Sequence, residues 1–240
     1  MSDTSYKGFG DKALPFLKAL GFHQNREWFH DNKAMFEQHL NEPRGQLIDD
    51  LAARLAEKKI PLTCNRKTST FRINRDVRFA KAKHPYNTHV SAVITRSGTK
   101  KDQGLLYFHV SPEDCFLSVG FYAMESDELR AFREAIVARK AQFDAALKPL
   151  QDLGFAFDRD NSLKRTPRGF ETITDPDMLE LLRLRHLTLS RRFPEQKLQG
   201  TALLEDLTEL AEAAQPLLSF GWRVIDPVRA AREEADQQER

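Results

Sequence analysis

The spacing of apolar residues changes twice along this 240-residue chain, and that change limits the folds open to it. From Ala13 to Leu55 apolar side chains recur every three or four positions. Between Phe71 and Tyr122 they alternate or gather in short blocks, and from Leu129 onward helical spacing is dominant again. A helix returns to the same face every 3.6 residues and a strand every 2, so one pattern cannot serve for the other. The expectation is an α+β fold in which an antiparallel sheet is flanked by N-terminal, middle and C-terminal helices.

Punctuation residues sharpen this. Ala13, Phe16, Leu17 and Leu20 mark a first helix that Gly21 can stop. Asn25 is placed to cap a second helix carrying Trp28, Phe29, Met35, Phe36 and Leu40, and Pro43 suits the first turn of a third that runs to about Lys58. Strands are expected at 71–79, 90–95, 105–110 and 115–122, with Ser111-Pro112-Glu113-Asp114 as a hairpin turn. Ser126 is expected to cap a helix buried through Leu129, Phe132, Ile136 and Phe143. Short strands at 155–158 and 184–189, a helix opened by Pro176 and a helix over 201–220 complete the reading. Pro216 is expected to bend the end of that last helix.

With 17 Phe the chain has the apolar volume for a substantial core. It contains no internal repeat and no linker rich in Gly, Ser or Pro, so residues 1–225 are expected to form a single domain. The charged, Gln-rich stretch 226–240 is expected to be frayed or partly helical. Two cysteines, Cys64 and Cys115, are too few for a disulfide framework and fit free thiols in a reducing compartment. The first ten residues lack the basic start and apolar run of a secretion signal, and no stretch has the apolar length of a membrane span. The expected location is cytoplasmic.

Charge is uneven. The whole chain carries a formal +2. Between Phe71 and His89, however, Arg72, Arg75, Arg78, Lys81 and Lys83 face Asp76 alone, five positive charges against one negative, a local +4. On a straight strand Phe71, Ile73, Val77 and Phe79 share one face and Arg72, Asn74, Asp76 and Arg78 the other. Arg75 falls on the apolar face, so the strand must bulge there or Arg75 must find a carboxylate or an anion. Arginine forks match carboxylate and phosphate oxygens in pairs. The alternative is plain architecture: Asp76 bridging Arg72 or Arg78 on a solvated face, and Arg75 pairing with an acid such as Glu27.

These residues resemble the domain of unknown function 2461 family of conserved hypothetical proteins. The resemblance is carried by Asn25-Arg26-Glu27-Trp28-Phe29, by Phe71-Arg72-Ile73-x-Arg75-Asp76-x-Arg78-Phe79, by Lys83-x-Pro85-Tyr86-x-Thr88-His89 and by Leu163-Lys164-Arg165-x-Pro167-x-Gly169. It covers about Phe16 to Leu218. It implies a single α+β domain and no established activity. The family usually has Lys after the tyrosine; Asn87 stands here instead, which removes one basic group.

The function expected from the residues is binding, with or without turnover, of a small phosphorylated or carboxylated ligand. Arg72, Arg78 and Lys83 would neutralise it, Arg75 would order the site, and Tyr86 and His89 would donate hydrogen bonds. His89 is the candidate acid or base, with Asp76 orienting it or an arginine. His109 would join it if both point into one cleft. Lys164, Arg165 and Arg168 would close over the same site if their loop folds back. Two further readings use the same residues: nucleic acid, with Phe79, Tyr86 and Phe170 stacking, and an interaction protein docking an acidic partner. The near-neutral total weighs against nucleic acid. No metal motif, paired cysteine ligands or phosphate loop occurs, and neither a cofactor nor an oligomeric state follows. Arg66 and Lys67 beside Cys64 suggest a lowered thiol pKa.

Overall fold

The computed structural model describes residues 5–76, 78 and 84–238. Its elements follow as α1 (Ala13–Phe22), α2 (Arg26–Asp31), α3 (Lys33–Phe36), α4 (Glu42–Glu57), β1 (Val90–Ile94), β2 (Leu105–Val110), β3 (Cys115–Phe121), α5 (Ser126–Ala138), α6 (Lys140–Asp152), β4 (Ala156–Phe157), α7 (Pro176–Arg183), β5 (Leu187–Arg192) and α8 (Ala202–Gln238). The strands form an antiparallel sheet in the order β1-β2-β3-β5-β4, which makes the protein α+β as its periodicity requires. Two compact units are gathered from separated stretches. The first takes Met1–Asp102, Leu106–Leu117 and Arg191–Glu212, the second Gln103–Leu105, Ser118–Ser190 and Ala213–Arg240. Except between Asp102 and Gln103, the chain passes from one to the other within β2, β3, β5 and α8. Among the described residues no helix is long and apolar enough to cross a membrane.

In the first unit α1 buries Ala13, Phe16, Leu17 and Leu20. The Asn25 side chain caps α2 by accepting from the Trp28 N–H at 2.8 Å. The helix expected to continue to Leu40 breaks at Asn32, whose side-chain amide donates to the Trp28 carbonyl at 2.9 Å. Such local side-chain bonding competes with the helical ladder. A π-helical turn at Glu37–Asn41 then leads into α4, with Pro43 in its first turn. Leu47, Ile48, Leu51 and Leu55 of α4 are fully buried, each contributing on the order of 2 kcal/mol.

The strand expected at 71–79 is not formed among its described residues, 71–76 and 78. Residues 63–71 instead lie along the free edge of β1, bridging Thr63 to Thr95 and Thr70 to Ala92. The Val93 N–H donates to the Ser69 carbonyl, and the Phe71 N–H to that of Ser91. This cover satisfies the edge that would otherwise template another strand. Arg75 is exposed rather than facing the core. Arg44 is the buried arginine of the region. Its guanidinium donates to the Phe71 carbonyl at 2.7 Å and to Asn41 Oδ1 at 2.6 Å, tying α4 to this segment. Burial pulls its pKa down to about 10, partly opposed by Glu37.

In the second unit Phe121, Phe132, Phe143 and Phe220 pack with neighbouring ring centroids 5.0 to 6.3 Å apart. Gly221 lets α8 approach this cluster, since a Cβ there would lie 2.1 Å from the Phe121 ring. Gly120, at φ +131°, would place a Cβ 2.0 Å from the Leu187 carbonyl oxygen. The helix expected over residues 126–143 is two helices, broken at Arg139. Its cap is Glu125 rather than Ser126: Glu125 and Glu128 form a reciprocal capping box, which leaves Ser126 in the first turn. The charged 226–240 stretch is helical to Gln238. Glu128 on α5 is fully buried and receives Arg229 at 2.8 Å and Arg232 at 2.7 Å.

Candidate functional site

Residues 73–75 and 85–87 pair antiparallel. Asn74 bridges Tyr86, the Arg75 N–H donates to the Pro85 carbonyl at 2.8 Å, and the Asn87 N–H donates to the Ile73 carbonyl at 2.7 Å. Two hydrogen bonds around one bridge cannot hold a hairpin in water alone. The fold supplies the rest. Ile73 and Tyr86 are buried, Tyr86 stacks on Phe29 at 4.4 Å, and its N–H reaches the Gln24 side-chain oxygen at 3.1 Å. The Asn87 side chain donates to the Arg72 carbonyl at 3.2 Å.

This arrangement lines an open cleft of about 470 Å³ with Gly21, Gln24, Arg75, His84, Tyr86, Asn87, Thr88 and His89. None of these eight residues is acidic. His89, the residue before β1, ends a column of rings that continues on β2 and β3. It stacks on His109 at 4.4 Å, and His109 stacks on Phe116 at 4.9 Å. The register explains the meeting. Ser91 pairs with His109, so residue 89, two positions earlier, projects from the same face diagonally opposite. The Tyr107 hydroxyl lies 3.0 Å from His109 Nδ1.

Burial of the two imidazoles disfavours their charged forms. His109 is pulled down to about 4, mainly by burial and then by His89 beside it. His89 is lowered by burial, with partial relief from Glu113. Both rings are therefore neutral at pH 7. Ser91, on the same face, keeps a buried hydroxyl with no hydrogen-bond partner among the described residues.

The other expected groups are distributed differently. Asp76 and Arg78 pair with each other at 2.7 Å on the exposed surface, an arrangement that holds the Asp76 carboxyl below its ordinary range. Arg72 is exposed on the same segment. Lys81, Lys83, Val77 and Phe79 lie outside the described residues. Lys164, Arg165 and Arg168 belong to the second unit, where all three are exposed. There the Glu171 carboxylate accepts from the Gly169 N–H at 3.0 Å. His186 accepts from the Ala123 N–H at 3.0 Å and stacks on Tyr122.

Cys64 and Cys115 are free and buried. The lowered Cys64 pKa expected from its basic neighbours is overturned, because burial pushes the thiol up to about 12 and Asp49 adds to the shift. Arg66 is turned away to α4, where it grips Asp49 at 2.7 Å and Glu42 at 3.0 Å across the face of Gly45. Among the described residues no group of three His, Cys, Asp or Glu is placed to hold a metal ion.

Gly21, Gln24 and Thr88 are cleft residues that sequence reasoning did not place there, and Gln24 shows why. It stands 62 positions from Tyr86, and no local pattern links the two. Tyr107, His109 and Phe116 are different: the two-residue step from Tyr107 to His109 on a strand already places both on one face.

The sheet and the helices around it define an α+β protein whose first unit carries a cleft lined with cationic and neutral hydrogen-bonding groups. Residues 12–220 match the family of conserved hypothetical proteins DUF2461, and the chain belongs to that family. No curated protein and no solved structure matches it.

Proposed function

We propose that this protein binds a small phosphorylated or carboxylated ligand in the cleft lined by Arg75, His84, Tyr86 and His89. The observation that carries the reading is the lining itself: an arginine and two imidazoles converge with amide and hydroxyl groups, and none of the eight lining residues is acidic. An anion entering such a site meets donors held by the fold, so little ordering opposes binding. Arg75 is the anchoring charge, since its backbone is fixed by Pro85 while its side chain remains exposed. Arg72, exposed on the same segment, adds to the field around the site, and Asp76 keeps Arg78 in one orientation. His89 is the group suited to accept a proton from a bound ligand, being neutral at pH 7 and part of the lining.

Thermal melting against a panel of phosphorylated and carboxylated metabolites at constant ionic strength tests this. A ligand at about 100 times its dissociation constant adds roughly 2.7 kcal/mol, a shift on the order of 2–4 °C per kcal/mol in a chain of this size. The shift is expected for one ligand class and is lost in Arg75→Ala. A broad panel without any shift refutes the reading.

A further inference from the structure

The cleft is larger than a simple anion requires. A volume of about 470 Å³ lies in the range of sites that enclose whole small molecules. Two of its lining residues are rings backed from behind, Tyr86 by Phe29 and His89 by the column through His109 to Phe116. The planes in that column are nearly parallel, 29° between His89 and His109 and 15° between His109 and Phe116. His89 is both the last ring of the column and a wall of the cleft. A column of parallel rings ending at an open cavity is a platform for one more planar ring.

We propose that the ligand combines an anionic group with a planar heteroaromatic ring, as a mononucleotide does, the phosphate held at Arg75 and His84 and the ring laid against His89. This rests on the anion-binding reading above and specifies its ligand class. The hydrogen-bonding groups fit that division. Gln24 is committed at both ends, donating to the Leu20 carbonyl at 3.0 Å and accepting from Tyr86, so it shapes the wall. Thr88 lines the cleft and brings a hydroxyl suited to a ring edge or a sugar. The neutral state of His89 suits stacking as well, because a neutral ring keeps its π face free of charge.

The test is isothermal titration of the full chain with AMP, ribose 5-phosphate, adenosine and inorganic phosphate at one ionic strength. Stacking is expected to make AMP bind roughly ten-fold or more tightly than ribose 5-phosphate. His89→Ala is expected to weaken AMP more than ribose 5-phosphate and so to close most of the difference between them, and His89→Phe to restore that difference. Arg75→Ala is expected to weaken both phosphates. Equal affinities for AMP and ribose 5-phosphate, with His89→Ala weakening neither, would overturn the ring and leave the anion site standing. Adenosine binding as tightly as AMP would overturn the anion end while keeping the platform. Absence of binding by every probe overturns the ligand class proposed here, whereas the metabolite panel tests the broader anion reading separately.

Discussion

Two ion clusters in this molecule use the same chemistry to opposite ends. In the first unit Asp76 and Arg78 pair two residues apart on the surface, where water screens them and the pair adds little to stability. In the second unit Glu128 is fully buried and holds Arg229 and Arg232 from a hundred residues further along the chain. There the removal of one partner strands charge away from water. The difference teaches what a charge pair can do: one locked inside holds the fold together, and one left in water adds little to it.

The contrast can be broken most severely in the aromatic core of the second unit. Phe132→Ala should cost about 3–5 kcal/mol, read as a lower midpoint in urea unfolding. A loss below 1 kcal/mol would mean that the ring cluster is not the centre of that unit. Next comes Glu128→Ala, expected to cost about 2–3 kcal/mol, while Glu128→Gln keeps the shape and loses the charge. Burial opposes ionisation of Glu128, but the hydrogen bonds from Arg229 and Arg232 and its bond to the Glu125 N–H outweigh this and hold its pKa below the ordinary 4.5. With the folded value below the unfolded one, its stabilisation is complete above pH 4.5 and is lost as pH falls further. Glu128→Gln should therefore flatten the acid end of a melting profile; an unchanged slope would count against the buried pair.

A gentler effect belongs to the imidazoles. His109 titrates near 4 in the fold against an ordinary 6.5, so the unfolded chain takes up the proton first. Its contribution to stability is complete above pH 6.5 and declines as pH falls towards 4. His109→Phe keeps a ring against Phe116 and should remove that decline; if the variant melts with the same pH dependence as the parent, the depressed value is wrong. The smallest change in stability is expected at Arg75, where substitution by Ala should stay within about 0.5 kcal/mol. Unfolding in urea of that variant without ligand separates a binding residue from a structural one, since a large loss would make Arg75 architecture.

Much of the fold could be read from spacing. The cap at Asn25, the turn at 111–114 and the burial of alternate β2 residues all depend on neighbours close in sequence. The failures share a cause. Residues 71–79 alternate like a strand, yet the Arg44 bond to the Phe71 carbonyl and the short pairing with 85–87 bend the segment, and both partners are distant or non-periodic. Ser126 has the right chemistry for a cap, but the reciprocal bonds of Glu125 and Glu128 satisfy two orphan N–H groups where Ser126 would satisfy one. Of the candidate site, Arg75, Tyr86 and His89 were legible because unusual chemistry was crowded into one short stretch. The meeting of His89 with His109 was legible only as a condition, because strand register had to supply it.

The order of amino acids, through periodicity and capping chemistry, was enough to specify the class of fold, the run of helices and strands and the short segment where cationic groups concentrate. Those properties arise from interactions between residues a few positions apart, which a linear pattern records. Which arginine is buried, which one faces the cleft, and which rings stack behind His89 were settled by packing. Arg44, Phe71, Gln24 and Tyr86 come together across tens of residues, and such contacts exist only once helices and sheet have closed on a shared core.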